Sequence, residues 1–292
     1  MLIRMFHVER SFFVIMLYIN FSLCYNRFRI KLKGVVKLGK IIAITNQKGG
    51  VGKTTTAVNL AAAVGNRNKK VLLIDMDPQG NTTSGVGIDK RAVKASIYGV
   101  LEKRTKIEDA IIKTEFKNLT VIPSNASLSG AELELVNAED REYYLKETIT
   151  PIMDKFDYIF FDCPPSLGMI TTNVLCASNS VIVPIQCEFY ALEGLSQLIG
   201  TIRRIKRQYN NHLKLEGVLL TMFDKRLNLT LQVVDEVKNY FRGQVFNTVI
   251  PRTVRLSEAP SFGKPVMYFD KFCKGSRAYN DLAKELIKNN KK

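Results

Sequence analysis

The stretch Asn46-Gln-Lys-Gly-Gly-Val-Gly-Lys-Thr-Thr-Thr56 decides the fold of this chain. It follows the apolar run Ile41–Ile44, which is typical of a buried strand, and precedes the apolar helical run Ala57–Val64. Three glycines in four positions allow a tight turn whose backbone N–H groups face inward, the geometry that wraps a chain of phosphates. The positive N-terminal end of the following helix adds to the attraction for anions. The sequence therefore predicts a phosphate-binding loop between a strand and a helix.

Two lysines converge on this loop. In the general pattern G-x-x-x-x-G-K-[ST], Lys53 reaches the β- and γ-phosphates and the Thr54 hydroxyl ligates Mg²⁺. The first glycine of that pattern would fall where the chain has Gln47, and Lys48 follows as an extra cation. Unpaired, the two ammonium groups would repel each other, and a triphosphate would offset that repulsion. A lysine so close to the mouth of the loop could also reach a nucleotide held by a second subunit.

Acidic residues follow two further strand-like runs. Asp75 and Asp77 end a buried-strand pattern that begins at Val71, and Asp162 ends an aromatic-rich run that begins at Phe156. Carboxylates at the C-terminal ends of parallel strands lie where open α/β sheets bind ligands. All three acids are therefore candidate site residues. For Asp75, a role in capping the next turn is an equal alternative.

Apolar strand-like runs recur along the chain and are separated by helical patterns. They lie at 41–45, 71–75, 119–122, 158–162, 180–185, 216–221 and 245–250. This alternation predicts a single α/β domain with a mostly parallel, doubly wound sheet covered by helices on both faces. About 250 residues beyond position 38 are enough for one large core.

The segment Lys48-Gly-Gly-Val-Gly-Lys-Thr-Thr55 resembles the deviant phosphate loop (deviant Walker A motif) of the ParA/MinD ATPases. Longer stretches resemble the chromosomal ParA (Soj) branch of that family, and they lie at 77–81, 162–166, 186–195 and 255–260. The resemblance implies a P-loop ATPase that uses ATP and Mg²⁺ and forms a nucleotide-sandwich homodimer crossed by Lys48. It also implies ATP hydrolysis that is slow until a ParB-like partner stimulates it.

The resemblance also implies a role for each matching residue. Lys48, Lys53 and Asp77 would act in catalysis, and Asp77 would orient the attacking water. The Mg²⁺ site would consist of Thr54, Asp75 and Asp162. The nucleotide would contact Lys48, Gly49, Gly50, Val51, Gly52, Lys53, Thr54 and Thr55, with Pro251 and Arg252 near the adenine.

Positive charge is concentrated in the last third of the chain. The net charge is +16, and residues 201–292 alone contribute a net +11. A basic surface attracts a polyanion in a sequence-independent, salt-sensitive way. By resemblance, Arg226 and Arg255 match positions that the family uses for non-specific binding of double-stranded DNA. The run 203–207 is better interpreted as a solvated helix face. We therefore expect a cytoplasmic, nucleoid-associated protein that partitions chromosomes or plasmids.

Two alternatives to partitioning stay open. One is a MinD-like ATPase that cycles on a membrane to regulate the placement of the division site, and the other is an ATP-gated scaffold that touches neither DNA nor membrane. The C-terminal helical pattern, about 276–287, lacks the large apolar face and the basic polar face of a membrane-surface helix. We therefore expect no stable membrane anchor.

The first 38 residues do not resemble the family. Their apolar run at 11–19 is too short to span a bilayer comfortably, and no small-x-small cleavage site follows it. We expect this N-terminal extension to reflect an error in the assigned start site, with translation beginning near Gly39. Residues 39–292 then constitute the ParA-type ATPase domain.

The five cysteines are odd in number and show no C-x-x-C spacing, which predicts reduced thiols. An iron–sulfur cluster at Cys163 is a rival hypothesis, because nitrogenase iron proteins share this type of loop and hold a cluster between subunits. The cysteines of that cluster lie in glycine-rich contexts, whereas Cys163 lies between Asp162 and Pro164. We therefore expect no cluster.

Overall fold

The computed structural model describes residues 38–136, 140–188 and 191–291. Within it, Leu38–Lys292 form one compact unit. The proposed N-terminal extension lies almost entirely outside the described residues, as does part of the 186–195 stretch, so both assignments stay predictions.

The strands form a single mixed sheet. They are β1 (Lys40–Ile44), β2 (Val71–Asp75), β3 (Ile112–Lys113), β4 (Leu119–Ile122), β5 (Tyr158–Asp162), β6 (Ser180–Gln186) and β7 (Lys214–Thr221). Their order across the sheet is β3-β4-β2-β5-β1-β6-β7. Every neighbouring pair is parallel except β3 with β4, which is antiparallel. The predicted doubly wound, mostly parallel α/β fold is confirmed.

Helices connect the parallel strands. The α-helices are α1 (Lys53–Asn66), α2 (Asn81–Gly85), α3 (Ile97–Leu101), α4 (Ala131–Val136), α5 (Tyr144–Ile149), α6 (Met169–Ala177), α7 (Ala191–Gln208), α8 (Asn228–Tyr240), α9 (Val254–Glu258), α10 (Val266–Phe269) and α11 (Lys274–Asn289). Short 3₁₀ helices lie at Ile107–Ala110, Ala126–Gly130, Thr150–Lys155 and Ala259–Phe262.

The sheet has an apolar core on each face. Alternate residues of β1 point to opposite sides, so Ile41 and Ala43 join one core while Ile42 and Ile44 join the other. All four side chains are completely buried. Burial on both faces explains why the strands are continuous apolar runs rather than alternating ones. The second core also contains residues of α1 and α11, so these two helices cover the same face of the sheet.

The predicted strand at 245–250 is wrong. This segment runs beside β7 and makes only isolated bridges, from Val218 to Val245 and from Phe223 to Pro251. The ladder is interrupted because Glu285 of α11 takes the next N–H groups. Its carboxylate accepts from the backbone nitrogens of Asn247 and Thr248, at 2.7 and 3.0 Å. The seventh strand of the sheet is instead β3, whose two residues are too short to give a sequence pattern.

The strand register brings the predicted acids together. Asp162, at the end of β5, lies opposite Ile44 of β1 on one side and opposite Asp75 of β2 on the other. The phosphate loop follows β1 directly. The loop and both carboxylates therefore meet at the carboxyl edge of the sheet, where open α/β sheets bind ligands.

Two helical glycines predict opposite effects on stability when replaced by alanine. At Gly65 in α1, an added Cβ would lie 2.5 Å from the carbonyl oxygen of Lys117, whereas at Gly200 in α7 it would meet no atom within 4 Å. We expect Gly65→Ala to lower the free energy of unfolding by about 1–3 kcal/mol through overpacking. We expect Gly200→Ala to raise it by about 0.5–1 kcal/mol through helix propensity. Urea unfolding measures the free energy of unfolding of both variants. Equal changes in the two variants would contradict the close packing at Gly65.

Candidate functional site

The phosphate loop depends on two glycines in the left-handed region. Gly50 has φ = 73° and Gly52 has φ = 86°, values that residues with a Cβ rarely adopt. Gly52 is also the N-cap of α1. The turn therefore delivers the chain from β1 into the first turn of α1 with the backbone wrapped around an open mouth.

Three hydrogen bonds hold the loop in place. The buried Asn46 side chain donates to the carbonyl of Pro184 at 2.8 Å and accepts from the backbone N–H of Lys48 at 3.0 Å. Thr221, at the end of β7, donates its hydroxyl to the carbonyl of Val51 at 2.8 Å. We did not predict roles for Asn46 and Thr221, because their partners lie 138 and 170 residues away in sequence.

Lys53 points across the mouth of the loop. Its side chain is buried, and its Nζ donates to the carbonyl oxygen of Lys48 at 2.9 Å. Burial lowers the pKa of Lys53, while the negative charges of Asp162 and Asp77 oppose that change. The ammonium is thus held beside the acids at the place where a phosphate would enter.

Lys48 extends toward the surface. Its Nζ lies 3.1 Å from a carboxylate oxygen of Glu188, and both side chains are substantially exposed. Glu188 follows β6 and was not among the predicted site residues, because nothing in the sequence indicates its contact with the loop. Exposed ion pairs of this kind contribute little to stability, so Lys48 is held only weakly within its own subunit.

Asp162 lies at the centre of a cluster of oxygen atoms. Its Oδ2 accepts hydrogen bonds from the hydroxyls of Thr54, at 2.8 Å, and Thr82, at 2.7 Å. Its Oδ1 is buried and has no hydrogen-bond partner among the described residues. Burial, followed by the nearby charge of Asp75, raises the pKa of Asp162. An unsatisfied carboxylate oxygen beside a threonine hydroxyl fits a hard cation such as Mg²⁺, which takes one or two carboxylates plus phosphate and water oxygens.

Asp75 is placed differently from Asp162. Its Oδ2 accepts from both the backbone N–H and the hydroxyl of Thr83, at 2.8 and 2.7 Å, and its Oδ1 accepts from the N–H of Asp77. Burial raises the pKa of Asp75, and these hydrogen bonds oppose that change. The carboxylate therefore holds the turn after β2 and the first turn of α2, which is the capping role that the sequence left open. Direct participation in a metal site stays a prediction.

Asp77 lies at the turn that follows β2. Its Oδ1 accepts from the N–H of Gln79 at 2.9 Å, and its carbonyl accepts from the N–H of Gly80 at 2.9 Å. Its side chain is almost fully buried, and its negative charge acts on Lys53. The carboxylate is thus oriented and close to the phosphate loop.

Pro251 and Arg252 lie beside the continuation of β7. The N–H of Phe223 donates to the carbonyl of Ile250 at 3.0 Å, and the N–H of Arg252 donates to the carbonyl of Phe223 at 3.2 Å. These bonds place both predicted residues just past Thr221, the residue that anchors the loop. A contact with the base stays a prediction.

The two predicted DNA-binding arginines are already paired. The Arg226 guanidinium makes two hydrogen bonds to the carboxylate of Asp224, and this pairing lowers the pKa of Asp224 to about 2. Arg255 lies 3.0 Å from Glu258 and 3.3 Å from Asp270. Arg226 remains 83% exposed at its side chain, so it could still meet a phosphate.

The described cysteines are free thiols. Burial raises the pKa of the Cys163 thiol strongly and that of Cys187 to about 11, so both are protonated near neutral pH. In the described part of the chain, no group of three or more histidine, cysteine or acidic side chains is arranged to hold a metal. No helix in that part is both long and apolar enough to cross a membrane.

Comparison with known proteins identifies relatives along most of the chain. A family model described as an AAA domain matches residues 39–215. The sporulation initiation inhibitor protein Soj of Bacillus subtilis is 55% identical over 252 residues, which are 86% of this chain and all of that protein. The chromosome partitioning protein ParA of Myxococcus xanthus is 51% identical over 88% of this chain and 90% of that protein.

Solved structures agree with this assignment. A cobyrinic acid a,c-diamide synthase from Mycobacterium smegmatis, solved with bound ADP and magnesium, has a TM-score of 0.77 and 35% identity over 87% of this chain and 96% of that one. A plasmid partition protein from Borrelia burgdorferi bound to AMPPNP has a TM-score of 0.75 and 29% identity over 86% and 99%. This chain belongs to the ParA/Soj family of chromosome-partitioning ATPases, as its phosphate loop predicted.

Proposed function

We propose that this protein is an ATP- and Mg²⁺-dependent ATPase of the partitioning type, which moves chromosomes or plasmids by an ATP-controlled cycle of dimerisation and DNA binding. The observation that carries the proposal is the phosphate loop with its two lysines. Lys53 lies in the mouth of the loop beside Asp162, while Lys48 reaches outward from the same turn. The Soj and ParA relatives, at 55% and 51% identity, support the biological role.

Thr54 and Asp162 would hold Mg²⁺, because their oxygens adjoin and one carboxylate oxygen is unsatisfied. The ion supplies charge stabilisation to the phosphates during phosphoryl transfer. Lys53 would hold the terminal phosphates, and the N–H groups of the loop would wrap them. The chain's own contribution is thus positioning and electrostatics, which is what phosphoryl transfer demands of a protein.

Lys48 would cross to the nucleotide of a second subunit and so couple ATP to dimerisation. Its exposed side chain and its weak ion pair with Glu188 support this role, since little energy is needed to release it. Asp77 would orient the attacking water. Slow intrinsic hydrolysis and stimulation by a ParB-like partner complete the proposed cycle.

The dimer would bind non-specific DNA through Arg226 and Arg255 and would localise to the nucleoid in the cytoplasm. The MinD-like alternative is less supported. The structure of the cell division ATPase MinD from Pyrococcus furiosus is 27% identical to this chain, whereas the Soj of Treponema pallidum is 46% identical.

Separate substitutions of Asp162 and Asp75 distinguish a role in Mg²⁺ binding from a role in stability. We expect Asp162→Asn to raise the Mg²⁺ concentration needed for ATP hydrolysis about 10-fold or more, because it removes the charge at the unsatisfied oxygen. We expect Asp75→Asn to lower the free energy of unfolding by about 1–2 kcal/mol, because the Asp75 carboxylate accepts three hydrogen bonds from α2 and from the turn before it. Magnesium titrations and urea unfolding of both variants measure this. If ATP hydrolysis by both variants needs the same raised Mg²⁺ concentration, Asp75 also belongs to the metal site.

Asp77→Ala tests the positioning of the water. We expect ATP hydrolysis to fall about 100-fold while ATP still binds, because the loop and Lys53 are untouched. The variant should then accumulate as an ATP-bound dimer in size-exclusion chromatography with light scattering. Lys53→Ala is the comparison, since it should lose ATP binding itself. Normal hydrolysis by Asp77→Ala would show that another group orients the water.

DNA binding tests the proposed function as a whole. We expect ATP, compared with ADP or no nucleotide, to increase the affinity of the full-length chain for random-sequence duplex DNA. The affinity should fall steeply with salt. Arg226→Ala combined with Arg255→Ala should abolish the ATP-induced increase and leave ATP-dependent dimerisation intact. Fluorescence anisotropy across a salt series measures both. An ATP dimer whose DNA affinity equals that of the nucleotide-free protein would refute partitioning through DNA and favour the MinD-like or scaffold function.

A further inference from the structure

A basic cavity lies at the far end of α1 from the phosphate loop. Its volume is about 440 Å³, and it is lined by Arg67, Lys69, Lys284, Ile287, Lys288 and Lys291. Five of these six side chains are cations, and within the described ranges none of the lining residues is acidic. We call these five cations the rear cluster.

Two helices build the rear cluster. Lys284 and Lys288 are four residues apart on one side of α11, and Lys291 follows just beyond the end of that helix. Arg67 is the C-cap residue of α1, and its guanidinium donates to the carbonyl oxygen of Asn280 in α11 at 3.0 Å. This bond fixes the end of α1 against α11, so the cations of both helices face one cavity.

The ordinary explanation for lysines at a helix end is that they complement the helix dipole. A helix C-terminus carries about half a negative charge, so two helix ends supply roughly one charge against five cations. Exposed Asp281, three residues before Lys284 on α11, supplies at most one further negative charge. None of the five cations forms an ion pair within the part of the chain that the structure describes. The neighbouring Glu285 is engaged by Asn247 and Thr248 instead.

We propose that the rear cluster is a second contact for the phosphate backbone of duplex DNA, and that it acts without ATP. Uncompensated ammonium groups bind phosphates as point charges and release counterions as they do so. Because α1 and α11 belong to one subunit, the contact needs neither the nucleotide nor a dimer. The choice of DNA as the polyanion rests on the proposed function, whereas the site itself does not.

A membrane is a poorer ligand than DNA for this surface. Binding in a membrane interface requires an apolar face beside the cations. The apolar side chains of α11, including Tyr279, Leu282 and Leu286, are buried in the core. Half-buried Ile287 is the one apolar residue that lines the cavity. The surface therefore offers charge without an insertion face, which suits a nucleic acid backbone.

The rear cluster is separate from the predicted DNA-binding arginines. The 14 residues of α1 span about 20 Å between the phosphate loop and the cavity. Arg226, in contrast, follows the carboxyl end of β7 by only five residues. One subunit would thus contact DNA at opposite edges of its sheet. ATP would control the contact at Arg226, and the rear cluster would bind independently of ATP.

The test is a triple substitution in the full-length chain, Lys284→Gln, Lys288→Gln and Lys291→Gln. The matched control is Lys94→Gln, Lys106→Gln and Lys113→Gln, which removes the same charge from exposed lysines elsewhere. Without nucleotide, we expect the rear variant to bind random-sequence duplex DNA at least about tenfold more weakly than wild type in low salt. The slope of log affinity against log salt should fall by about 2–3. The control should stay within about twofold of wild type.

The outcomes distinguish this inference from the proposed function. If the rear variant loses its nucleotide-free binding but keeps the ATP-induced increase, both stand. If wild type shows rear-cluster binding without any ATP-induced increase, the inference stands and the proposed function fails. Equal losses in the rear and control variants would mean that net charge alone matters, which overturns the inference. Rear-cluster binding to vesicles containing phosphatidylglycerol, with none to DNA, would also overturn it.

Discussion

Two carboxylates buried side by side at the carboxyl edge of the sheet constrain the rest of the site. The register of β2 and β5 places Asp75 opposite Asp162, and both are completely buried. Ionised carboxylates are expensive to bury unless hydrogen bonds or cations compensate them. Asp75 is compensated by three donors, namely the N–H of Asp77 and the N–H and hydroxyl of Thr83. Asp162 has two hydroxyl donors on one oxygen, and no described residue donates to the other. The asymmetry leaves one place for a cation, beside Thr54 at the start of α1.

The carboxyl edge of the sheet also holds the phosphate loop in a conformation that is ready to bind phosphate. Lys53 is buried near these acids, yet its ammonium donates to the neutral carbonyl of Lys48. A phosphate that enters the mouth would replace this neutral acceptor with a charged one and so strengthen the hydrogen bond of the ammonium. The loop itself need not rearrange to do so, because Asn46 and Thr221 fix its two sides. The first turn of α1 also contacts α11, where the Tyr279 hydroxyl lies 3.2 Å from the hydroxyl of Thr56.

Much of the fold and the centre of the site could be predicted from the sequence. The loop can be recognised in the sequence because its glycines, its lysines and its helix are consecutive. The alignment of Asp162 with Asp75 follows from both ending apolar strands of a parallel sheet. What could not be predicted depends on contacts distant in the chain. Glu188 meets Lys48 across 140 residues. Glu285 interrupts the expected strand at 245–250, although the strand's own residues are apolar enough to form it.

The distribution of charge shows most clearly what amino-acid composition cannot predict. Counting residues identifies the last third of the chain as basic, but the field at a surface comes from the charges that remain unpaired. Arg226 and Arg255 each face a carboxylate of their own segment, so their local field is partly cancelled until a ligand competes for them. The lysines of the rear cluster form no ion pair within the described residues, and the neighbouring Glu285 bonds the backbone of the 247–248 segment instead. The contact that interrupts the expected strand therefore also occupies the carboxylate that precedes Lys288 by three residues on α11. One glutamate thus ends the parallel ladder and, through the same four hydrogen bonds, is unavailable to the lysines beside it.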